Sequence, residues 1–95
     1  MALAVRRYWV YILSCADGTL YTGYTVDLEK RLASHNAGRG SKYTRGRTPV
    51  ALAYSEEAGS LSGALRRENE IKKLSRSSKL LLCGASRKER RNSIR

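Results

Sequence analysis

The chain has 95 residues, of which 41% are hydrophobic, enough for one modest core and too few for two domains. Its 19 Lys and Arg outnumber 8 Asp and Glu, and the net charge of +11 favours nucleic acid as the partner over an anionic membrane or a merely solubilising surface. No apolar run approaches the roughly 20 residues of a membrane span. The start, MALAVRR, lacks the order of a signal peptide, so we predict a cytoplasmic protein.

After a short lead-in at 1–7, two runs rich in aromatic and β-branched residues predict a β-hairpin. They cover 8–13 and 20–24 and flank the turn signal Asp17-Gly18. Asp-Gly between two such runs is typical of a tight hairpin turn. The length of that turn decides which side chains share a face, because successive side chains of a strand point to opposite faces.

Two loop lengths are compatible with this hairpin. A two-residue loop would put Tyr21 on the face opposite Tyr11. A three-residue loop at 16–18, with Gly18 left-handed, instead pairs Tyr11 with Gly23 and makes the two tyrosines diagonal neighbours on one face. We favour the three-residue loop, because it sets two phenols beside a glycine that allows close approach to the backbone.

A helix is predicted next, beginning near Asp27 and ending at Gly38, since an acid suits the first helical turn and glycine suits the end. Arg31 and His35 lie one turn apart beside its leucine seam, so both side chains are expected to meet the sheet. A structural alternative pairs Arg31 with Asp27, four residues earlier.

The segment 38–49 contains three Gly, one Pro and four basic residues without an acid, which predicts a long cationic loop. Loops of this length in a small domain are usually functional or disordered. Residues 50–55 are apolar enough for a third strand, and 56–59 are expected to turn the chain. Ser60 or Ser62 is then suited to cap another helix.

That helix, predicted at 61–74, carries an acid on its apolar face. Glu68 falls in the middle of the face, whereas Glu70 points almost directly away and should be solvated. A buried carboxylate needs a partner, which could be a metal ion or an arginine, and an ion pair with Arg31 is the structural alternative. The apolar face comprises Leu61, Ala64, Leu65 and Ile71.

A short final helix is expected from residue 75, followed at 86–95 by a basic tail that is predicted to be disordered or loosely docked. The folded domain is therefore placed at 8–85. Cys15 and Cys83, with a single histidine in the chain, do not have the spacing of a zinc site. We expect reduced thiols rather than a disulfide.

Together, Tyr11, Tyr21, Arg31, His35 and Glu68 could form a site for phosphodiester hydrolysis. A carboxylate can hold one Mg²⁺, which keeps several waters, and an arginine can donate to a phosphate as negative charge builds. A phenol or an imidazole can take the proton of an attacking water, although a tyrosine base needs its pKa lowered from about 10. Taken singly, each residue also has a structural interpretation as a packed ring or an ion-pair member.

In this order and spacing, the five positions resemble a GIY-YIG nuclease domain, specifically the small stand-alone bacterial members. Tyr11 ends WVY, at the place of the GIY strand, and Tyr21 begins YTG, at the place of the YIG strand. The family's helical Arg, frequent His and metal-binding Glu correspond to Arg31, His35 and Glu68. The similarity covers about 8–82, including the basic stretch SKYTRGR.

The resemblance implies an α/β (α+β) fold with a three-stranded antiparallel sheet flanked by helices, in the order β-β-α-β-α-α. It implies one divalent ion, Mg²⁺ or Mn²⁺, on Glu68, and Arg31 steadying the scissile phosphate. Tyr11 is then the leading candidate for general base, with Tyr21 orienting the water or the phosphate. His35 either assists these roles or replaces Tyr11 as the base.

Two departures from the family pattern stand out. Trp9 occupies the place of the GIY glycine, and the asparagine that many members place after the metal-binding Glu has no match, because Asn69 and Asn92 are wrongly spaced. A nucleic-acid-binding module with weak or no catalysis is therefore the alternative to a nuclease. A third hypothesis is a subunit whose basic loop and tail dock on a protein partner.

The expected substrate is DNA. Members with defined targets usually carry an extra DNA-binding domain, which we do not expect for this protein. Phosphate contacts give affinity and salt dependence but little base specificity, so we expect selection by structure, such as branched or single-stranded DNA. The residues predicted to bind nucleic acid are Arg39, Lys42, Tyr43, Arg45 and Arg47.

Overall fold

The computed structural model describes residues 7–84, so most of the predicted lead-in and the whole tail lie outside the described residues. The boundary predicted between domain and tail therefore stays a prediction. The predicted order β-β-α-β-α-α is confirmed, with one extra helical turn, α2, before the third strand. The elements are β1 (Tyr8–Ser14), β2 (Leu20–Thr25), α1 (Leu28–Asn36), α2 (Lys42–Arg45), β3 (Ala51–Ala58), α3 (Leu61–Lys72) and α4, which covers 76–84.

The three strands form one antiparallel sheet in the order β2-β1-β3, as predicted. The central strand β1 is covered on both faces, which explains why four successive residues, Val10 to Leu13, are all buried. Val10 and Ile12 point to one face, and Tyr11 and Leu13 point to the other. Tyr11, a predicted site residue, thus lies in the middle of the sheet.

Helices cover the two faces in separate layers. Ala64 and Ile71 of α3 pack on the face that carries Val10, together with Cys83 of α4. The leucines of α1 pack on the opposite face, which also holds Cys15. Cys15 and Cys83 thus belong to different core clusters. Within 7–84, no helix is both long and apolar enough to cross a membrane.

The hairpin closes with the predicted three-residue loop. Leu13 pairs with Tyr21 and Tyr11 pairs with Gly23, which confirms the register derived from the turn. The Gly18 N–H donates to the Cys15 carbonyl at 2.9 Å, and Gly18 has a φ of 86°, the left-handed conformation that glycine adopts without steric cost. The turn therefore sets both tyrosines on one face.

One prediction for the second half of the chain is wrong, and another is incomplete. The segment 56–59 is not a turn, because β3 continues to Ala58 and pairs Glu56 with Val10 of the central strand. Glu56 is tolerated there because Arg67 of α3 donates to its carboxylate at 2.9 Å. The cationic loop is also not wholly irregular, since Ser41 accepts from the Thr44 N–H and caps α2.

Helix α3 begins after a Ser60 cap, one of the two predicted caps, but ends at Lys72 rather than near 74. Its apolar face is narrower than predicted. Ala64 and Ile71 are fully buried, whereas Leu61 and Leu65 are exposed, because a three-stranded sheet is too narrow to cover the whole stripe.

Candidate active site

Two phenols lie side by side on the α1 face of the sheet. The ring centroids of Tyr11 and Tyr21 are 6.4 Å apart. Gly23 makes room for them, because a Cβ atom at this position would lie 2.6 Å from the Tyr11 Oη and 3.2 Å from the Tyr21 Cε2. The group that approaches the glycine backbone is therefore the phenol of Tyr11 itself.

The imidazole of His35 contacts the inner phenol. It is 0% exposed, and its Nε2 lies 3.1 Å from the Tyr11 Oη. Burial lowers the pKa of His35 below its usual 6.5, and the positive charge of Arg31 lowers it further, so the neutral form is favoured at pH 7. Gly40 provides the space, since a Cβ there would be 2.2 Å from the His35 Nδ1.

Thr44 completes this buried group, and the sequence interpretation missed it. Its Oγ1 lies 2.8 Å from the His35 Nδ1, and its side chain is 0% exposed. Ser41 caps the turn that carries Thr44 and lies 3.1 Å from the Thr44 hydroxyl. The spacing Ser41-x-x-Thr44 after a glycine was the available signal, because serine at this spacing is typical of a helix cap.

Arg31 acts on the same phenol from α1. Burial raises the pKa of Tyr11 above its usual 10, and the Arg31 guanidinium lowers it, while the charges of Tyr21 and Glu68 raise it. The Nε–H of Arg31 is buried and has no hydrogen-bond partner within the described residues. The alternative partner Asp27 uses its carboxylate to cap α1 at the Lys30 N–H, 3.0 Å away.

Glu68 points away from bulk solvent, with only 13% of its side chain exposed. Its ion-pair partner among residues 7–84 is Lys72, one turn further along α3, with Nζ and Oε2 3.3 Å apart. The structural alternative, an ion pair with Arg31, is therefore not what the structure shows. No group of three or more His, Cys, Asp or Glu gathers within 7–84, so any metal site there uses few protein ligands.

The predicted DNA-binding residues fall into two groups. Arg39, Lys42 and Arg45 are exposed on the loop around α2. Tyr43 is stacked on Tyr21, with centroids 5.8 Å apart, and the Arg47 guanidinium lies 4.1 Å from the centre of the Tyr43 ring. The loop thus adds Tyr43 and Arg47 to the group of stacked aromatic rings that begins at Tyr21.

Arg47 also fastens this loop to the hairpin. Its Nε donates to the Asp17 carboxylate at 2.9 Å, and its Nη1 donates to the Tyr43 carbonyl at 2.6 Å. At the base of the loop, the side-chain amide of Asn36, which precedes the loop, accepts from the N–H of Val50, which follows it, and donates to the Val50 carbonyl. The cationic loop is therefore braced at both ends rather than loosely attached.

A cavity of about 190 Å³ lies beside Arg31 at the start of α1. Two cationic side chains, two hydroxyl groups, a carboxylate and an exposed valine line it. It therefore offers donors to an anion next to the buried cluster. The lining residues are Thr25, Val26, Asp27, Lys30, Arg31 and Ser34.

Comparison with known proteins places this geometry in a family. Residues 7–81 match the family model described as the GIY-YIG catalytic domain. The chain belongs to the GIY-YIG family. It thus carries the catalytic domain of a nuclease family, and the five positions predicted from the sequence all fall within the matched range.

Within the GIY-YIG family, the chain is similar over most of its length to UPF0213 proteins. It is 61% identical to one from Natronomonas pharaonis, over 76% of this chain and 85% of the relative. It is 50% identical to one from Streptococcus pyogenes, over 95% and 99% of the two chains. A solution NMR structure of a UPF0213 protein from Bacillus halodurans matches with a TM-score of 0.54 at 46% identity, covering 83% of this chain and 84% of that one.

Proposed function

We propose that the chain is a divalent-metal-dependent endonuclease that hydrolyses DNA phosphodiester bonds with low sequence specificity and selects substrates by their structure. One observation carries this proposal. His35 contacts the buried phenol of Tyr11. The charge of Arg31 lowers the pKa of Tyr11, and the charge of Glu68 raises it. The net charge of +11 supports a polyanionic substrate.

The residues around Glu68 fit a single Mg²⁺ or Mn²⁺. Magnesium commonly takes one or two carboxylates and keeps several waters, so one largely buried carboxylate is a sufficient protein ligand. Lys72 is half-exposed, and its ammonium can therefore swing away from Glu68. When bound, the ion polarises the phosphate and stabilises the leaving oxygen.

The protein side chains then take distinct roles. Because burial raises the pKa of Tyr11, its role as base requires Arg31 and a bound divalent ion to stabilise the phenolate. The phenolate then accepts a proton from water as the water oxygen bonds to phosphorus and the bond to the leaving oxygen breaks. Arg31 donates to the non-bridging oxygens as their negative charge grows. Both ring nitrogens of His35 already have partners, Nε2 with Tyr11 and Nδ1 with Thr44, so His35 acts through the phenol rather than on the water.

Substrate is expected to enter at the partly exposed side of the cluster. Tyr21, Arg31 and Glu68 are partly exposed, whereas Tyr11 is 1% exposed, so we expect Tyr21 to orient the water or the phosphate. The cavity beside Arg31 offers Lys30 to a flanking phosphate. The further phosphate contacts come from the loop residues Arg39, Lys42, Arg45 and Arg47, with Tyr43 as an aromatic contact.

Cleavage assays with branched, single-stranded and duplex DNA, in Mg²⁺ or Mn²⁺, test the proposal. We expect Glu68→Gln to lower the cleavage rate by about 10²–10³, the typical effect of removing one electrostatic stabiliser. Glu70→Gln is the matched control, because Glu70 lies on the same helix but is exposed and pairs with Arg67. Absence of cleavage by the wild type, or equal cleavage by Glu68→Gln, contradicts the proposal.

The same assay distinguishes the two phenols. If Tyr11 is the base, Tyr11→Phe should abolish the dependence of the rate on phenol ionisation and lower the rate by about 10²–10⁴. Tyr21→Phe should have the smaller effect and leave the pH profile in place. The reverse result would assign the base to Tyr21.

A nucleic-acid-binding module without catalysis is the second candidate, favoured by the Lys72 ammonium that already neutralises Glu68. It predicts strongly salt-dependent DNA binding that survives Glu68→Gln. Lys72→Met separates the two candidates. A nuclease should gain metal affinity because the competing ammonium is gone, whereas a binding module should cleave nothing before or after the change.

A further inference from the structure

A line of hydrogen-bonding groups runs from the basic loop to the proposed base. Ser41 Oγ lies 3.1 Å from Thr44 Oγ1, which lies 2.8 Å from His35 Nδ1, and His35 Nε2 lies 3.1 Å from Tyr11 Oη. Thr44, His35 and Tyr11 are all buried, so water does not compete for these contacts. The direction of proton donation along this line decides whether His35 donates a hydrogen bond to the Tyr11 oxygen or accepts one from it.

The distances favour one direction for the first half of this line. Ser41 Oγ accepts from the Thr44 N–H at 3.1 Å, which leaves its own proton for Thr44 Oγ1. The carbonyl of Ser41 is 3.4 Å from Thr44 Oγ1, beyond the usual 2.5–3.0 Å range for a hydroxyl donating to oxygen. The Thr44 proton is therefore directed at His35 Nδ1, only 2.8 Å away.

The second half follows from the charge of the imidazole. Burial and Arg31 favour the neutral ring, which carries a single N–H. With Nδ1 accepting from Thr44, that proton resides on Nε2, and the 3.1 Å separation from Tyr11 Oη fits an N–H donating to oxygen. Gly40 leaves room for the ring, because a Cβ there would lie 2.2 Å from His35 Nδ1.

We propose that Ser41 and Thr44 are positioning residues that hold His35 as the Nε2–H tautomer, so that the imidazole donates to the Tyr11 oxygen and favours its phenolate. Two groups support the phenolate, His35 and Arg31 from α1. Burial opposes it most strongly, and Tyr21 from β2 and Glu68 from α3 oppose it as well. The part that concerns catalysis rests on the proposed nuclease function, whereas the tautomer does not.

Nitrogen-15 NMR of the wild-type protein tests the tautomer directly, because the chain contains a single histidine. We expect a protonated Nε2 and an unprotonated Nδ1 at pH 7. Thr44→Val keeps the shape of the side chain but removes the hydroxyl, and should convert the ring to mixed tautomers or to Nδ1–H. Thr44→Ser should restore the wild-type spectrum. A wild-type Nδ1–H ring, or an unchanged tautomer in Thr44→Val, overturns the proposal.

Carbon-13 labelling at tyrosine Cζ measures the consequence for Tyr11, whose signal is assigned by its loss in Tyr11→Phe. Thr44→Val should raise the pKa of Tyr11 and lower kcat for DNA cleavage about tenfold at pH 7, with KM unchanged, because one hydrogen bond to a charged oxygen is weakened. Should Thr44→Val not fold, Ser41→Ala provides the same readout with the Thr44 methyl retained.

The two proposals fail separately. If the wild type cleaves no DNA, the proposed function fails while the tautomer and the Tyr11 titration still decide the role of Thr44. If DNA is cleaved but the pH profile of Thr44→Val equals that of the wild type, the positioning role is refuted and the nuclease stands.

Discussion

Gly40→Ala tests whether the buried imidazole is held by the absence of a side chain. The new Cβ would lie 2.2 Å from His35 Nδ1, 2.3 Å from its Cγ and 2.6 Å from its Cε1, against the 3.4–4 Å of ordinary contact. The ring must therefore retreat by about 1 Å or more, which breaks its contacts with Thr44 and Tyr11. Losing two hydrogen bonds and overpacking the core should together cost about 2–5 kcal/mol of unfolding free energy.

Urea unfolding measures this cost, and Gly46→Ala is the matched control. Gly46 ends the turn α2, has a φ of −98°, and an added Cβ there meets nothing within 4 Å. We expect that variant to be nearly neutral, because its backbone is open to any residue. Equal stability of the two variants, with the wild-type histidine NMR signal retained in Gly40→Ala, would refute this account of the site.

Further predictions concern the pH dependence of stability and the two contacts that frame the cluster. The pKa of His35 in the folded protein lies below 6.5, so at mildly acidic pH the unfolded chain binds more protons than the folded one. Stability measured by urea unfolding should therefore fall as the pH drops below 6.5. A His35→Gln variant should lose this part of the pH dependence. Asn36→Ala should lower the unfolding free energy by about 2–4 kcal/mol, because both backbone groups of Val50 lose their partner. Asn36→Asp keeps one of the two hydrogen bonds and should cost less. A smaller loss of stability for alanine than for aspartate would contradict this role of the Asn36–Val50 pair. In Gly23→Ala the new Cβ would lie 2.6 Å from the Tyr11 Oη, so the phenol must move. This change should lower kcat for cleavage more than it lowers DNA affinity, which separate kinetic and binding measurements would show.

The hairpin was the most predictable part of this fold because local chemistry determines it. The turn at 16–18 fixes its own hydrogen bonds, and the register then follows with a period of two. Helix α1 was predictable for a similar reason, since Asp27 caps it and Gly38, with a φ of 81°, follows its end. Signals of this kind act over a few residues and do not depend on the rest of the chain.

The parts that sequence reasoning missed depend on contacts between distant segments. The strand at 56–58 contradicts the local turn signal because Arg67 of α3 compensates Glu56, eleven residues away. The link between Arg47 and Asp17 spans thirty residues, so the loop composition alone could not reveal it. The pair of Glu68 and Lys72 was also missed, although its i, i+4 spacing is typical of a helical ion pair and could have been recognised from the sequence.

We expect the direction of Glu68 to depend on a contact between α3 and β3. Helix α3 packs on the face opposite Tyr11, yet the charge of Glu68 acts on the Tyr11 phenol. The residue before it, Arg67, is fixed to Glu56 of β3, and this contact raises the pKa of Arg67 further above its usual value, so the bridge stays charged at any working pH.

Because neighbouring residues of a helix differ by about 100° in direction, fixing Arg67 on β3 also fixes the direction of Glu68. The site is thus held from both faces of the sheet. We propose that the Ser41–Thr44 line orients His35 on one face, and we expect the bridge between Glu56 of β3 and Arg67 of α3 to help orient Glu68 on the other. Loss of either support should misalign one half of the cluster while the other half, anchored on its own layer, keeps its geometry.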